Sequence, residues 1–126
     1  MAEWPSMTHD HHARLDHENL DVYRCSLEFL HLSLRLVREL PERGEAELRS
    51  QLKRAAMSIP LNIAEGAGKP TSADRARYHA IARGSAMECA ALIDVCAVAH
   101  YLAEDDARSA KQLLLRIVSM LTKMCR

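Results

Sequence analysis

Three groups of residues have the types and spacing that could do chemistry. Glu28 and His31 form an E-x-x-H pair, which puts a carboxylate and an imidazole on one helix face, the spacing used by di-iron carboxylate bundles. Such a centre needs a second pair and two further carboxylates from other helices, and no second E-x-x-H occurs, so an ordinary surface pair is expected. His9, Asp10, His11 and His12 could ligate a transition metal, with His17 just beyond. They lie in a short polar segment with no rigid partner to fix a geometry, so a solvated tail is expected, with Trp4 able to pin it against a neighbour. Cys25, Cys89, Cys96 and Cys125 show no C-x-x-C pairing of a zinc or redox site. Cys89 and Cys96 stand one heptad apart, which reads as two small hydrophobes on the apolar face of a helix. No catalytic set, metal site or cofactor is expected.

One further stretch is more ordered. Within Gln51–Lys69, QLKRAAMSIPLNIAEGAGK, the apolar residues Leu52, Ala55 or Ala56, Ile59 and Ile63 recur at helical spacing beside a polar line of Gln51, Arg54, Ser58, Asn62 and Glu65. A solvated helix face needs no such line. It fits a semi-buried seam, where Ser85 and Glu88 of the following helix are plausible partners. The expected result is a structural or interface network of Arg54, Ser58, Asn62, Glu65, Ser85 and Glu88, because an unpaired charge at such a place is costly.

The elements that must carry these groups follow from composition and period. The 126 residues fit one domain, and aromatics are few (one Trp, one Phe, three Tyr), while Leu and Ala are abundant. Lys+Arg and Asp+Glu both count 17, so no net charge draws the chain to a polyanion. The charge is uneven, with five basic against eight acidic residues in 1–44 and seven against four in 45–85. That pattern suits self-association as well as it suits binding a polyanion. No apolar run reaches the ~20 residues of a membrane span. The first residues lack the pattern of a secretory signal, and with free thiols a cytoplasmic location is expected.

Residues 1–16 read as an N-terminal His-containing segment and 17–126 as a helical domain. A first helix is expected from Asp16 or His17 to Leu40 with a seam of Leu20, Tyr23, Leu27, Leu30, Leu34 and Val37. A second runs from Glu45 to Glu65, bent or broken at Pro60 and closed by Gly66 and Gly68. A third spans Ala73–Leu102, capped by Thr71 or Ser72, with Tyr78, Ile81, Ser85, Cys89, Leu92, Cys96 and Ala99 inward. Gly84 inside it marks a tight contact or room for a polar partner. A fourth, opening on Glu104, Asp105 and Asp106, turns Ala107, Ala110, Leu114, Ile117, Leu121 and Met124 inward. Four such helices with short links predict an all-α, antiparallel up-down-up-down four-helix bundle.

The run QLKRAAMSIPLNIAEGAGK followed by YHAIARGSAMECAAL resembles the four-helix-bundle proteins related to those encoded in intervening sequences of bacterial 23S ribosomal RNA genes. Gln51, Arg54, Ala55, Ala56, Ser58, Ile59, Asn62, Ile63, Ala64, Glu65, Gly66, Gly68, Tyr78, Ala82, Gly84, Ser85 and Glu88 meet that pattern, while Lys69 and Tyr78 stand where arginine and phenylalanine are usual. The resemblance implies a bundle that assembles with itself as a homopentameric ring, similar to the barrel-like accessory proteins of diversity-generating retroelements. It ties the family to no catalytic reaction. Three functions are therefore in view. The first is a non-catalytic homo-oligomeric assembly protein. The alternative is RNA or ribonucleoprotein binding through Arg49, Lys53, Lys69, Arg75, Arg77 and Arg83, against which the neutral charge and the lack of interleaved aromatics count. An enzyme or metal protein using the histidines ranks last.

Overall fold

The computed structural model describes residues 14–126, so Trp4 and His9, Asp10, His11 and His12 of the expected N-terminal segment lie outside the described residues. Among the described residues the first element is a 3-10 turn over Asp16–Asn19, where the start of a long helix is expected. The Leu15 amide donates to Glu18 Oε2 at 2.7 Å, and the Leu20 amide donates to the His17 carbonyl. Leu20 is extended at φ −85° and ψ 128°, and its side chain packs against the core, which separates the turn from helix α1, Asp21–Glu39.

Gly44 makes the turn into helix α2, Ala46–Ala67, at φ +80°, a conformation glycine takes without strain. The helix is not broken at Pro60, and the proline ring is itself buried. Losing the one bond that its amide would have given the Ala56 carbonyl is outweighed by burying Ile59 and Ile63 on either side of it. Gly66 also does not end the helix. A Cβ there would stand 3.0 Å from the Tyr78 Cβ and 3.2 Å from the His79 ring, so the glycine lets α2 approach the next helix closely. Gly68 caps α2 in a right-handed conformation, φ −84°.

Helix α3, Ser72–Val98, is capped by Thr71, whose Oγ1 accepts from the Asp74 amide at 3.1 Å. It stops short of Leu102 because His100 takes a left-handed conformation, φ 60°, and the Tyr101 amide reaches back to the Cys96 carbonyl at 2.9 Å. Tyr101 then donates to Glu45 Oε1 at 2.7 Å, which ties this turn to the start of α2. Helix α4 covers Glu104–Met124, with Glu104, Asp105 and Asp106 in its first turn.

Each helix packs against its sequence neighbours, α1 also packs against α4, and no diagonal pair touches. The links are short, so the four helices run antiparallel in an up-down-up-down bundle. The α4 stripe is as expected, with Ala110, Leu114, Ile117 and Leu121 buried. On α1 the buried stripe is instead Val22, Cys25, Phe29 and Leu36, with Ser26 and Ser33 between them. The leucine-rich 3-4 seam is rotated to one side of it. Leu20, Tyr23, Leu30 and Val37 only flank the core, and Leu27 and Leu34 are half-buried outside it. On α3 the inward residues are His79, Ala82, Ala86, Cys89, Leu92, Ile93 and Cys96, while Ile81 and Ala99 face outward. Small residues make this close packing possible, since Ala82 and Ala86 are fully buried against neighbours.

Candidate interface on the outer face of helices α2 and α3

The polar line of α2 converges on α3 at one place. Ser58 and Ser85 share a hydrogen bond of 2.7 Å between their hydroxyls. One turn along α2, Asn62 Nδ2 donates to Ser58 Oγ at 2.9 Å and to the Ser58 carbonyl at 2.8 Å. This half-buried trio is the part of the expected network that closes within the chain. The three charged members do not join it. Arg54 is exposed and donates to Ser50 Oγ at 3.3 Å. Glu65 is exposed and sits 3.7 Å from Lys69 Nζ. Glu88 is exposed, and no ion pair joins it to another described residue. Within one chain the line follows the rim between α2 and α3, so its short members reach across and its long ones point to solvent.

Exposed apolar side chains also lie on the outer sides of α2 and α3, among the exposed charges Arg54, Glu65 and Glu88. Leu61 is 62% exposed and Ile81 45%, with Met57 and Val95 similarly open. Gly84 lies on this side of α3, and a Cβ there would meet nothing within 4 Å. Of the two readings of Gly84, no tight contact with a described residue is present, while the space expected for a polar partner is open. A glycine in a helix interior costs about 1 kcal/mol relative to alanine, and no neighbour in the fold accounts for it.

The six basic residues weighed for RNA do not form one surface. Arg49 is at the start of α2, where it donates to the Pro41 and Glu42 carbonyls. Lys69, Arg75 and Arg77 gather at the other end. Arg75 donates to the Lys69 carbonyl at 3.0 Å and to Ser72 Oγ at 3.1 Å, while Lys69 and Arg77 each lie 5.0 Å from the centre of the Tyr78 ring. Arg83 turns toward α4 and donates to Thr122 Oγ1 at 2.8 Å. Lys53 is exposed on α2.

Elsewhere, Glu28 lines an open groove of about 620 Å³ between α1 and α4 together with Asp21, Arg24, Cys25 and Arg116. Burial raises the Cys25 thiol, with Arg116 opposing more weakly, so a thiolate nucleophile is disfavoured there. Burial, with Glu88 beside it, pushes the Cys89 thiol up to about 12. Among the described residues no group of three or more His, Cys, Asp or Glu is placed to hold a metal, and no helix is long and apolar enough to cross a membrane.

His79 is the buried polar residue that the spacing did not flag. It is nearly enclosed, and neither ring nitrogen has a hydrogen-bond partner among the described residues. Its signal was its register with Ala82, Ala86 and Cys89, obscured by the small apolar residues that surround α3 on every side.

The fold and the motif face find their counterpart in a known group: the model of the 23S rRNA-intervening sequence protein family matches residues 18–123. The chain belongs to this family. Among solved structures, the chain is similar to a protein of unknown function from the S23 ribosomal protein family of Bacteroides thetaiotaomicron. The TM-score is 0.78 and the identity 24%, with 83% of this chain and 98% of that chain covered. The likeness shows a shared fold across nearly the whole of that relative. No curated protein matches. The matched 23S rRNA-intervening sequence protein region begins inside the 3-10 turn and ends within the last turn of α4.

Proposed function

We propose that this chain is a non-catalytic assembly protein that acts in the cytoplasm, its copies associating through the outer face of α2 and α3 into a homo-oligomer, with a pentameric ring as the expected form. The observation that carries this reading is the combination at that face: Leu61 and Ile81 are exposed, and a Cβ built on the helix glycine Gly84 would meet no other described residue within 4 Å. A fold of this size gains nothing by leaving these side chains in water, and contiguous exposed apolar surface marks contact sites. Arg54, Glu65 and Glu88 border the same face with opposite charges, so a second copy can satisfy what the chain leaves open. The formal net charge of zero removes long-range repulsion between copies.

RNA binding is the second reading. The observation in its favour is the gathering of Lys69, Arg75 and Arg77 around Tyr78 at the α2–α3 turn, in a family named for its ribosomal RNA intervening sequences. One experiment separates the two: light-scattering mass on a sizing column, with absorbance at two wavelengths, on protein purified without nuclease. A mass of several subunits with a protein-like absorbance ratio is expected. A single-subunit mass would end the assembly reading, and a co-eluting, ribonuclease-sensitive nucleic-acid absorbance would put RNA binding in its place.

A further inference from the structure

The groove of about 620 Å³ between α1 and α4 has the size of a small-ligand site. No diagonal helix pair touches, so it lies on the side of the bundle away from the α2–α3 face and stands independently of the assembly reading. Its walls carry two carboxylates, Asp21 and Glu28, and two guanidiniums, Arg24 and Arg116, so its formal charge is zero. One pair is closed: Arg24 donates to Asp21 at 2.7 Å. The other is open, since no ion pair joins Glu28 or Arg116 to each other or to another described residue.

Both open charges bear on one floor. Burial raises the thiol of the buried Cys25 most, and of the charges around it Arg116 lowers it while Glu28 and Asp21 raise it. The register agrees. Helices α1 and α4 run antiparallel and Arg35 bonds Asp106, so Cys25, ten residues before Arg35, comes level with Arg116, ten residues after Asp106. Glu28 stands three residues from that level, less than one helical turn.

We infer that this groove binds a free aliphatic amino acid, with its carboxylate on Arg116, its ammonium on Glu28 and its side chain over Cys25, Met120 and Leu115. Charge selects the class. An anion alone would stand beside two carboxylates and a cation alone beside two guanidiniums, whereas a zwitterion meets the open member of each sign. Geometry narrows it. The Arg116 guanidinium offers two parallel donors that match a carboxylate, and Ser119, one turn along the same face of α4, adds a hydroxyl. An α-amino acid carries both charges on one carbon, which suits holders less than a turn apart. The floor decides the side chain: the buried Cys25, the half-buried Met120 and the exposed Leu115 offer it only carbon and sulfur.

The test is calorimetric titration of the full chain with L-leucine and with two analogues that each lack one charge, isocaproate without the amine and isoamylamine without the carboxylate. Leucine should saturate one site per chain by about 10 mM, and each analogue should bind at least about tenfold more weakly, because each leaves one charged group of the groove without its partner. Glu28→Gln and Arg116→Gln should each weaken leucine by a similar factor. Both positions are exposed, so their helical circular dichroism should not change. Methionine methyl resonances locate the site: leucine should shift that of Met120 and leave that of Met87, in the groove between α3 and α4, unmoved. The inference is overturned if none of leucine, isoleucine, valine and methionine saturates the chain at that concentration, or if either analogue matches leucine. Binding that survives both substitutions, or that leaves the Met120 methyl in place, overturns it as well.

Discussion

Two glycines lie inside helices of this bundle, and alanine should have opposite effects at them. In a helix interior, Gly→Ala gains about 1 kcal/mol through backbone entropy. At Gly84 the new Cβ meets nothing within 4 Å, so the whole gain should appear. For a domain of this size that corresponds to a rise in Tm of roughly 4 °C. At Gly66 the Cβ would stand 3.0 Å from the Tyr78 Cβ, which is fixed to the α3 backbone and cannot swing away, and 3.2 Å from the buried His79 ring. Overpacking of this kind costs about 1–3 kcal/mol, so the net change is a loss of up to about 2 kcal/mol. The assay is equilibrium urea unfolding followed by circular dichroism, at one protein concentration and on the Leu61→Glu/Ile81→Glu background, where association does not contribute. Gly66→Ala more stable than its parent, or Gly84→Ala less stable than its parent, would refute the reasoning. In the assembling chain Gly84→Ala should lower the subunit affinity while raising the stability of the single subunit, because the added methyl projects from the contact face.

His100 holds a left-handed conformation that costs an ordinary residue about 1–2 kcal/mol, so His100→Gly should raise the urea midpoint by an amount equivalent to about 1 kcal/mol. Neither nitrogen of the buried His79 has a hydrogen-bond partner among the described residues, and His79→Leu should be neutral or stabilising, since an unsatisfied buried polar group costs about 1–3 kcal/mol; a clear loss in thermal melting would refute this. The Cys89 thiol, raised to about 12, predicts a stability that is fully present below pH 9 and declines as the pH climbs toward 12, because the unfolded thiol ionises while the folded one keeps its proton. Unfolding measured across that range should show a shallower decline for Cys89→Ala. Native-state alkylation should reach the half-buried Cys125 well before Cys89.

Helix number, order and packing partners were readable from period and punctuation, and α4 shows why. It has one apolar stripe, so Ala110, Leu114, Ile117 and Leu121 had a single face to turn inward. Helix α1 has two stripes about a third of a turn apart. The richer one, through Leu27 and Leu34, obeys the 3-4 rule better, yet the core took the one containing Phe29, with Ser26 and Ser33 carried along. Counting leucines could not choose, because that choice is made by the volume the neighbouring helices leave. Helix α3 has apolar residues on every side, so its register was set by Gly66 and His79, a close contact with no periodic signature. The site divided along the same line. Ser58, Asn62 and Ser85 could be matched because their partners are in the chain. Arg54, Glu65 and Glu88 could not, since a pattern reports that a residue is constrained without reporting which molecule constrains it.

The pairing of α1 with α4 has a consequence for how the chain can be written. The start of α1 lies alongside the end of α4 across the groove shared by Asp21, Arg24, Met120 and Ser119, while Arg35 bonds Asp106 at 2.9 Å at the other end. The four helices therefore close on themselves as a cycle, each touching the next and the last touching the first. A circularly permuted gene that joins α4 to α1 by a short linker and opens instead at the exposed Glu42–Arg43 turn would keep every helix pair. It would also move the new chain ends to the opposite pole of the bundle, giving a handle for attaching cargo at either end of it.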